Sequence, residues 1–286
     1  MQPLISANEL KNLLQQGAAD TKLHIIDVRS DLQDEDLGQR AYLEGHIPTA
    51  VFFDVNEDLS ITPPGTNGRH PLPERDDFAA LLASRGMQVT DHFVVYDAAN
   101  SMFASRLWWM LRWVGCANVQ VLNGGLQAWQ AAGGDLDVSD VGFGPAVEWQ
   151  ESPRLVGGRV NADEVEVNIR LQDFLVVDAR AAGRFSGEDA AMDPVAGHIP
   201  GAVNRPFTEN LSEGAQFKSA DSLREEFASL FGVRPSSEVV AQCGSGISAC
   251  HNLLAMEIAG LKGAKLYSGS WSEWISDPSR PVATGS

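Results

Sequence analysis

The two halves of this chain repeat the same four short motifs in the same order. Each motif of the first half has a counterpart about 145 to 152 residues later: IIDVR at 25–29 and VVDAR at 176–180, GHIPTA at 45–50 and GHIPGA at 197–202, VVYD at 94–97 and VAQC at 240–243, GGLQAW at 124–129 and GSWSEW at 269–274. Four matches in register predict a duplicated domain, because a fixed internal period is the sequence mark of repeated structural units.

Each half alternates short apolar runs with amphipathic stretches. The apolar runs are rich in β-branched residues, as strands buried on both faces are, and they lie at 23–28, 93–96, 174–177 and 238–241. Helical periodicity lies between them, at 7–16, 76–85, 105–114, 222–231 and 249–259. This alternation predicts an α/β fold of two tandem domains, each a mainly parallel sheet covered by helices on both faces.

A stretch rich in Gly, Pro and Asp separates the two halves and lacks sustained periodicity. We therefore place a first domain at 1–135, a linker at 136–157 and a second domain at 158–286.

Hydrophobic residues make up 44% of the chain and charged residues 21%. Both values are ordinary for globular proteins, which excludes a disordered or fibrous chain.

The chain is strongly acidic, with 38 Asp and Glu against 21 Lys and Arg and a formal charge of −17. Such a surface repels a phosphate backbone, which argues against nucleic-acid binding. No apolar run approaches the roughly 18 to 20 residues of a membrane span, and the first residues lack the pattern of a secretory signal. The expectation is a soluble cytoplasmic protein that binds neither nucleic acid nor membrane.

Three cysteines occur in the chain, Cys116, Cys243 and Cys250. So sparse and odd a set predicts no disulfide framework, and no Cys/His cluster has the spacing of zinc ligands. We expect neither a metal nor a cofactor. Cys116, at a predicted helix end, and Cys250, within a predicted helix, are interpreted as core residues.

Cys243 follows a predicted strand and opens the loop CGSGIS at 243–248, which leads into a helix. The two glycines permit a tight turn, so that several N–H groups and the helix N-terminus face the sulfur. These groups favour the nucleophilic thiolate and would stabilise a persulfide one bond further out. The alternative, that Cys243 is a small buried filler, leaves the coincidence of glycines, turn and helix start unexplained.

The duplicated α/β domain, GHIPGA at 197–202, the CGSGIS loop and GSWSEW at 269–274 resemble the two-domain rhodanese-type sulfurtransferases over nearly the whole chain. The resemblance implies that Cys243 accepts a sulfane sulfur, becomes a persulfide and passes the sulfur to a small thiol, thioredoxin or cyanide. In that family the first copy usually lacks the cysteine. Asp97 stands in its place here, which implies a catalytically silent first domain.

The residues after the cysteine separate the substrate classes of that family. Members that use thiosulfate typically carry basic residues there, whereas members that use 3-mercaptopyruvate typically carry Cys-Gly-Ser-Gly-Val-Thr. The resemblance therefore implies a 3-mercaptopyruvate donor, bound by the loop residues Gly244, Gly246, Ile247 and Ser248. The alternatives are a thiosulfate:cyanide sulfurtransferase with the same persulfide, and a loop whose glycines only shape the turn.

In the mercaptopyruvate-using members two arginines hold the donor carboxylate, a role that suits the planar guanidinium. Arg184 matches the first of them. The second is expected about nine residues later, where it could share the carboxylate, but the stretch 187–194 (GEDAAMDP) contains neither Arg nor Lys. Arg205, just after GHIPGA, is a candidate to compensate, and its other interpretation is a solvated surface charge.

The resemblance also implies a Ser–His–Asp relay, with Ser245 as its serine and His70, in GRHPLP at 68–73, as its histidine. The acid is Asp58 or Asp54. The sequence does not choose between them, and Asp58 is taken as the working candidate. Such a relay could pass protons to the leaving enolate; the alternative is that His70 pins a loop.

Two other functions occur on the same fold. A Cys-based phosphatase needs an arginine at the sixth position after the cysteine to clamp the phosphate, and Ala249 stands there. A non-catalytic binding module has no need of the intact cysteine loop. Residues shared by both halves are interpreted as structural, because one half is inactive: Asp27, Arg29, His46, Asp178, Arg180 and His198.

Overall fold

The computed structural model of the chain describes residues 1–16, 21–62, 65–189 and 192–285. Contacts divide the chain into two compact units. The first comprises Met1–Ser60, Pro73–Leu155 and Glu213–Phe217, and the second comprises Ile61–Leu72, Val156–Ser212 and Lys218–Ser286. The second unit therefore takes in a segment, 61–72, that lies in the first half of the sequence. The domain boundaries proposed above follow chain order alone and stay a prediction.

The first unit alternates strands and helices throughout its length. Its elements are β1 (Leu4–Ile5), α1 (Ala7–Gln16), β2 (Leu23–Asp27), α2 (Leu37–Glu44), β3 (Val51–Phe52), α3 (Arg75–Ser84), β4 (His92–Tyr96), α4 (Met102–Val114), β5 (Asn118–Leu122) and α5 (Gly125–Ala131).

The second unit repeats that alternation. Its elements are β6 (Arg159–Val160), α6 (Ala162–Leu171), β7 (Leu175–Asp178), α7 (Ala182–Ser186), β8 (Val203–Asn204), α8 (Ala220–Phe231), β9 (Val239–Gln242), α9 (Ile247–Ile258), β10 (Lys265–Tyr267) and α10 (Ser270–Trp274). Short 3₁₀ turns lie at Phe207–Asn210, Glu213–Ala215 and Ser236–Glu238.

The two sheets have the same topology. Within the described residues the first unit has strand order β1-β5-β4-β2-β3 and the second has β6-β10-β9-β7-β8, and the strands in each are paired parallel. The middle strand is β4 in the first unit and β9 in the second. The CGSGIS loop at 243–248 follows β9. All four residues of β9 are buried, as expected for a strand covered by helices on both faces. The predicted α/β fold of two tandem domains is confirmed.

A buried Asp–Arg pair after β7 fixes the turn that follows it. Arg180 donates to both carboxylate oxygens of Asp178, at 2.7 to 3.1 Å, and to the carbonyl oxygen of Gly197 at 2.8 Å. Arg29, Asp27 and Gly45 make the same bonds in the first unit. The pair joins the end of a strand to the GHIP turn in both units, which is a structural role.

The repeated histidines lie in those turns. The Nδ1 of His198 is 2.8 Å from the carbonyl oxygen of Phe185, and the two rings stack with centroids 3.7 Å apart. His46 makes the equivalent contacts with Tyr42, at 2.8 Å and 3.9 Å. Both rings therefore fasten the preceding helix to the turn.

Among the described helices none is both long and apolar enough to cross a membrane.

Candidate active site

Cys243 lies at the carboxyl end of β9, the middle strand of the second sheet. Ligands of open parallel sheets bind at this edge, where the loops that follow neighbouring strands converge. The residue is 2% exposed, so the sulfur lies at the base of the site rather than on the surface.

The loop after Cys243 curls back over the sulfur. Gly246 has a φ of +82°, and its N–H points at the Sγ of Cys243 with an N–S distance of 3.1 Å. A side chain at this position would meet the carbonyl oxygen of Ser268 at 2.2 Å, so both the backbone angle and the close approach require glycine. The backbone N–H of Cys243 donates to the Oγ of Ser270 at 3.0 Å. The tight turn is as the sequence predicts, and one backbone N–H, that of Gly246, is directed at the sulfur, whereas the prediction had several.

The equivalent loop of the first unit surrounds a carboxyl group with backbone N–H groups. Asp97 follows β4 as Cys243 follows β9, and its residue is 1% exposed. Its carboxylate accepts four backbone N–H bonds of 2.8 to 2.9 Å, from Ala99, Ser101, Phe103 and Ala104. Burial raises the pKa of Asp97, and the four N–H bonds oppose that rise, so loop N–H groups and the start of α4 converge on this place in the fold. The same place in the second unit is occupied by sulfur.

The segment 61–72 is fastened to the loop before α10. Gly68 has a φ of +93°, and a side chain there would meet the carbonyl oxygen of Gly269 at 2.7 Å. The backbone N–H of Arg69 donates to the Oγ of Ser272 at 3.1 Å. This anchoring fixes the two side chains that follow Gly68 against the active-site loop.

His70 and Ser245 are brought together, as the sequence predicts. The Nδ1 of His70 lies 2.8 Å from the Oγ of Ser245, within hydrogen-bond distance. Ser245 is two residues after Cys243, so the imidazole lies beside the loop that follows this cysteine. The pair can therefore exchange a proton at this end of the site.

The candidate acids of the relay lie in the first unit. The carboxylate of Asp58 accepts two bonds from Arg85, at 2.6 and 2.9 Å, and the backbone N–H of Asp54 at 2.8 Å. The carboxylate of Asp54 accepts the backbone N–H groups of Asn56 and Glu57, at 2.7 and 3.0 Å. Both carboxylates thus have local partners, and a relay role for either stays a prediction.

Arg184 does not stand alone. Its Nε and Nη2 donate to the Oδ2 of Asp193, at 3.2 and 2.5 Å. The Nη1 of Arg69 donates to the other oxygen, Oδ1, at 2.9 Å, and the Nη1 of Arg180 lies 3.6 Å from Oδ2. Burial alone would raise the pKa of Asp193, but the hydrogen bonds from Arg184 and Arg69 outweigh it and hold that pKa below its usual range.

Arg69 and Asp193 were missed by the sequence reasoning. Two signals were present: Asp193 is the ninth residue after Arg184, where the resemblance leads one to expect the second arginine, and Arg69 directly precedes His70. Only the fold shows that the two meet, because 123 residues of sequence separate them.

Arg205 is committed to a different network. Its guanidinium donates to the carboxylate of Glu226 and to the Oδ1 of Asn210, and its Nη1 lies 3.3 Å from the Oε2 of Glu209. The guanidinium carbon lies 5.2 Å from the centre of the Phe227 ring. The guanidinium group of Arg205 is already paired with these residues, and Arg205 is only 9% exposed. We therefore leave it out of the proposed donor site. It is not the solvated surface charge of the alternative interpretation either.

The other two cysteines are buried in helical surroundings. Cys250 lies in α9 and donates its S–H to the carbonyl oxygen of Gly246 at 3.4 Å. Burial raises the pKa of Cys116 to about 12, which keeps that thiol protonated and unreactive. Both observations favour the core role predicted for these residues.

A profile of the rhodanese-like domain matches the chain twice, at residues 6–132 and 161–277. The chain is 42% identical over 284 residues to a probable 3-mercaptopyruvate sulfurtransferase of Pseudomonas aeruginosa, covering 99% of this chain and 98% of the relative. It is 38% identical over 293 residues to SseB, a putative thiosulfate sulfurtransferase of Mycobacterium tuberculosis, covering 99% and 98%.

The solved structure of a 3-mercaptopyruvate sulfurtransferase from Leishmania major has the same architecture. It superimposes with a TM-score of 0.82 at 31% sequence identity, over 96% of this chain and 74% of the other. Sequence and structure comparisons thus agree over almost the full length.

Proposed function

This chain belongs to the family of rhodanese-like proteins and is a sulfurtransferase, and we propose that it moves a sulfane sulfur from 3-mercaptopyruvate to a thiophilic acceptor through a persulfide on Cys243. The observation that carries the proposal is the placement of Cys243 at the end of β9, with a loop N–H directed at its sulfur. The matching loop of the first unit supports it, because backbone N–H groups there converge on a carboxyl group as they would on a persulfide.

In the proposed first step the Cys243 thiolate attacks the sulfur of the donor. An S–S bond forms while the bond between that sulfur and C3 of the donor breaks, and the electron pair leaves on C3 as the enolate of pyruvate. The enolate is protonated at C3, and the donor's thiol proton balances this, so the products are a persulfide anion and pyruvate. An acceptor thiol or cyanide then takes the outer sulfur, and the electron pair of the S–S bond returns to Cys243.

We assign the proton delivery to His70 and Ser245. Their 2.8 Å contact beside the cysteine loop supports this role, because a positioned acid must lie within hydrogen-bond reach of the group that it protonates. The participation of Asp58, or of Asp54, stays a prediction.

The neutral loop supports 3-mercaptopyruvate as the donor. Gly244 and Ser245 present no positive charge directly after Cys243, whereas the donor carboxylate can be met by Arg184 from α7. Contacts of Ile247 and Ser248 with the donor also remain proposals. The alternative donor is thiosulfate, which the name of the Mycobacterium tuberculosis relative favours.

The acceptor is proposed as a class: a small thiol, thioredoxin or cyanide, each of which carries a nucleophile able to take a sulfane sulfur. A cytoplasmic location is proposed with it. The three cysteines, which lie as free thiols in buried positions, support a reducing compartment.

The direct test compares kcat/KM for 3-mercaptopyruvate and thiosulfate with one acceptor and one buffer. We expect the larger value for 3-mercaptopyruvate, and we expect Cys243→Ser to lose sulfur transfer from both donors, because a hydroxyl does not hold a sulfane sulfur. Cys250→Ser is the matched control, since it changes a buried thiol in the same helix region and should stay active.

Two results would contradict the proposal in different ways. A larger kcat/KM for thiosulfate would replace the donor by the alternative. A folded Cys243→Ser protein that keeps more than a few per cent of the activity would remove the persulfide mechanism.

A further inference from the structure

We propose that Arg69 is a second anchor for the donor's carboxylate, and that Asp193 is the counter-ion which holds Arg69 and Arg184 in position for it. The inference rests on the proposed function, because it names the residues that recognise the carboxylate of the 2-oxo acid donor. Neither Arg69 nor Asp193 belongs to the donor-binding residues that the sequence pattern predicts.

Asp193 holds the two guanidinium groups side by side. Each of its oxygens is taken by a different arginine, Oδ1 by Arg69 at 2.9 Å and Oδ2 by Arg184 at 2.5 Å. The aspartate side chain is 3% exposed, whereas those of Arg184 and Arg69 are 17% and 37% exposed. The carboxylate is therefore at the base of the cluster, and the arginines present their remaining nitrogens outward.

Those remaining nitrogens lie beside the residue that follows the cysteine. A Cβ built on Gly244 would be 3.5 Å from the Nη1 of Arg184 and 3.0 Å from the Nη2 of Arg69. Within the part of the chain that the structure describes, the bonds to Asp193 use the Nε and Nη2 of Arg184 and the Nη1 of Arg69, and they leave the Nη1 of Arg184 and the Nη2 of Arg69 for a ligand. The guanidinium groups of Arg184 and Arg69 thus converge on one place next to Cys243, where their remaining N–H groups can bind a ligand.

The spacing of the donor matches this arrangement. In 3-mercaptopyruvate two carbons separate the carboxylate carbon from the sulfur. A carboxylate bound above Gly244 can therefore direct its sulfur at the neighbouring Cys243. Two guanidinium groups, each with N–H groups in a fixed plane, orient a carboxylate as well as bind it.

The charge of the cluster fits a donor with one carboxylate. Arg69, Arg180 and Arg184 surround Asp193, and Asp178 pairs with Arg180. Three positive and two negative groups leave one net positive charge in the cluster itself, and the Cys243 thiolate of the proposed mechanism adds one negative charge beside it. A site with so little net positive charge suits a monoanion better than a dianion such as thiosulfate.

The position of Asp193 shows how this site departs from the pattern of two arginines on one segment. At the ninth residue after Arg184 this chain carries an acid, and the additional guanidinium comes from the segment 61–72 instead. The acid and the additional arginine bond to each other. The missing arginine of the sequence analysis is thus replaced from another part of the second unit.

The test substitutes Arg69→Gln and uses two donors that differ only in the carboxylate. 3-Mercaptopyruvate carries it, and mercaptoacetone has a methyl group in its place. We expect kcat/KM for 3-mercaptopyruvate to fall by about 10- to 150-fold, the effect of losing a charge-assisted hydrogen bond. The value for mercaptoacetone should stay within about threefold, whereas a purely structural role of Arg69 would lower both.

A second measurement does not depend on turnover. Iodoacetate and iodoacetamide alkylate a thiolate by the same reaction, but only iodoacetate carries a carboxylate. Arg69→Gln should lower the rate constant for Cys243 alkylation by iodoacetate relative to iodoacetamide. The matched control is Arg40→Gln, which removes a surface arginine that is also paired with an aspartate. It should leave the ratio of the iodoacetate to the iodoacetamide rate constant unchanged.

The outcomes separate the two proposals. If the wild type uses thiosulfate in preference to 3-mercaptopyruvate, the proposed donor is wrong, and the alkylation ratio still decides whether Arg69 binds a carboxylate. If Arg69→Gln leaves the alkylation ratio at the wild-type value, Arg69 is not an anchor. A lower rate constant for iodoacetate, with an unchanged rate constant for iodoacetamide, supports the assignment.

Discussion

At the scale of single residues, the proposed site depends on the groups that surround the sulfur of Cys243 and the carboxylate of Asp193. The sequence indicated Cys243 because glycines, strand end and helix start coincide there, and it indicated His70 and Ser245 through the resemblance. It did not indicate the ion cluster around Asp193. Charges that meet through the fold leave no spacing in the sequence, so Arg69 was read as part of a loop motif and Arg205 as a substitute.

The pH dependence of stability tests the cluster. Because folding lowers the pKa of Asp193, its ion pairs stabilise the folded protein fully above the ordinary value of 3.8, and this stabilisation is lost as pH falls towards the lower folded value. Asp193→Asn should therefore lower the free energy of unfolding at neutral pH. The difference from wild type should shrink below pH 3.8, where a protonated aspartate resembles asparagine.

Urea unfolding of both proteins across that pH range measures the difference. Asp34→Asn provides the control, because Asp34 also pairs with an arginine but its side chain is 46% exposed, so solvent screens the pair. A difference between wild type and Asp193→Asn that does not change with pH would show that the Asp193 carboxylate is not held as an ion by its arginines.

At the scale of elements, the predicted runs correspond to four strands and five helices, and several other elements of both kinds were not predicted. No helix is predicted at 162–171, a segment in which valine and isoleucine alternate with polar residues as they do in a strand. In the structure it is α6, which begins with a capping box: Asn161 accepts the N–H of Glu164, and Glu164 accepts the N–H of Asn161. Local capping thus outweighs the β-branched composition.

The loop after β4 gives a prediction at the same scale. Asp97→Ala should destabilise the first unit by about 3 kcal/mol or more, because three buried N–H groups and one part-buried N–H group lose their acceptor. Urea unfolding measures the loss. Asp31→Ala is the control, since its carboxylate accepts two N–H groups at a surface turn, and we expect a change of less than about 1 kcal/mol. Equal effects would show that the loop does not depend on the Asp97 carboxyl group.

At the scale of the whole molecule, duplication explains why one chain has two similar sheets and one proposed reaction centre. The repeated motifs, the common strand order and the two profile matches agree. Sequence order could not predict that residues 61–72 belong to the second unit, because that membership depends on contacts made over a long sequence separation. The segment supplies both Arg69 and His70, so part of the proposed site is encoded in the first half of the chain.

The most direct measurement is a single-turnover experiment without acceptor, in which the protein is mixed with excess 3-mercaptopyruvate and pyruvate is counted per chain. We expect one pyruvate per chain, released in a burst, and one added sulfur that peptide mass spectrometry locates on Cys243. The first unit, with Asp97 in the equivalent place, should contribute none. Absence of a burst, or a sulfur on Cys116 or Cys250 with Cys243 unmodified, would contradict the central claim.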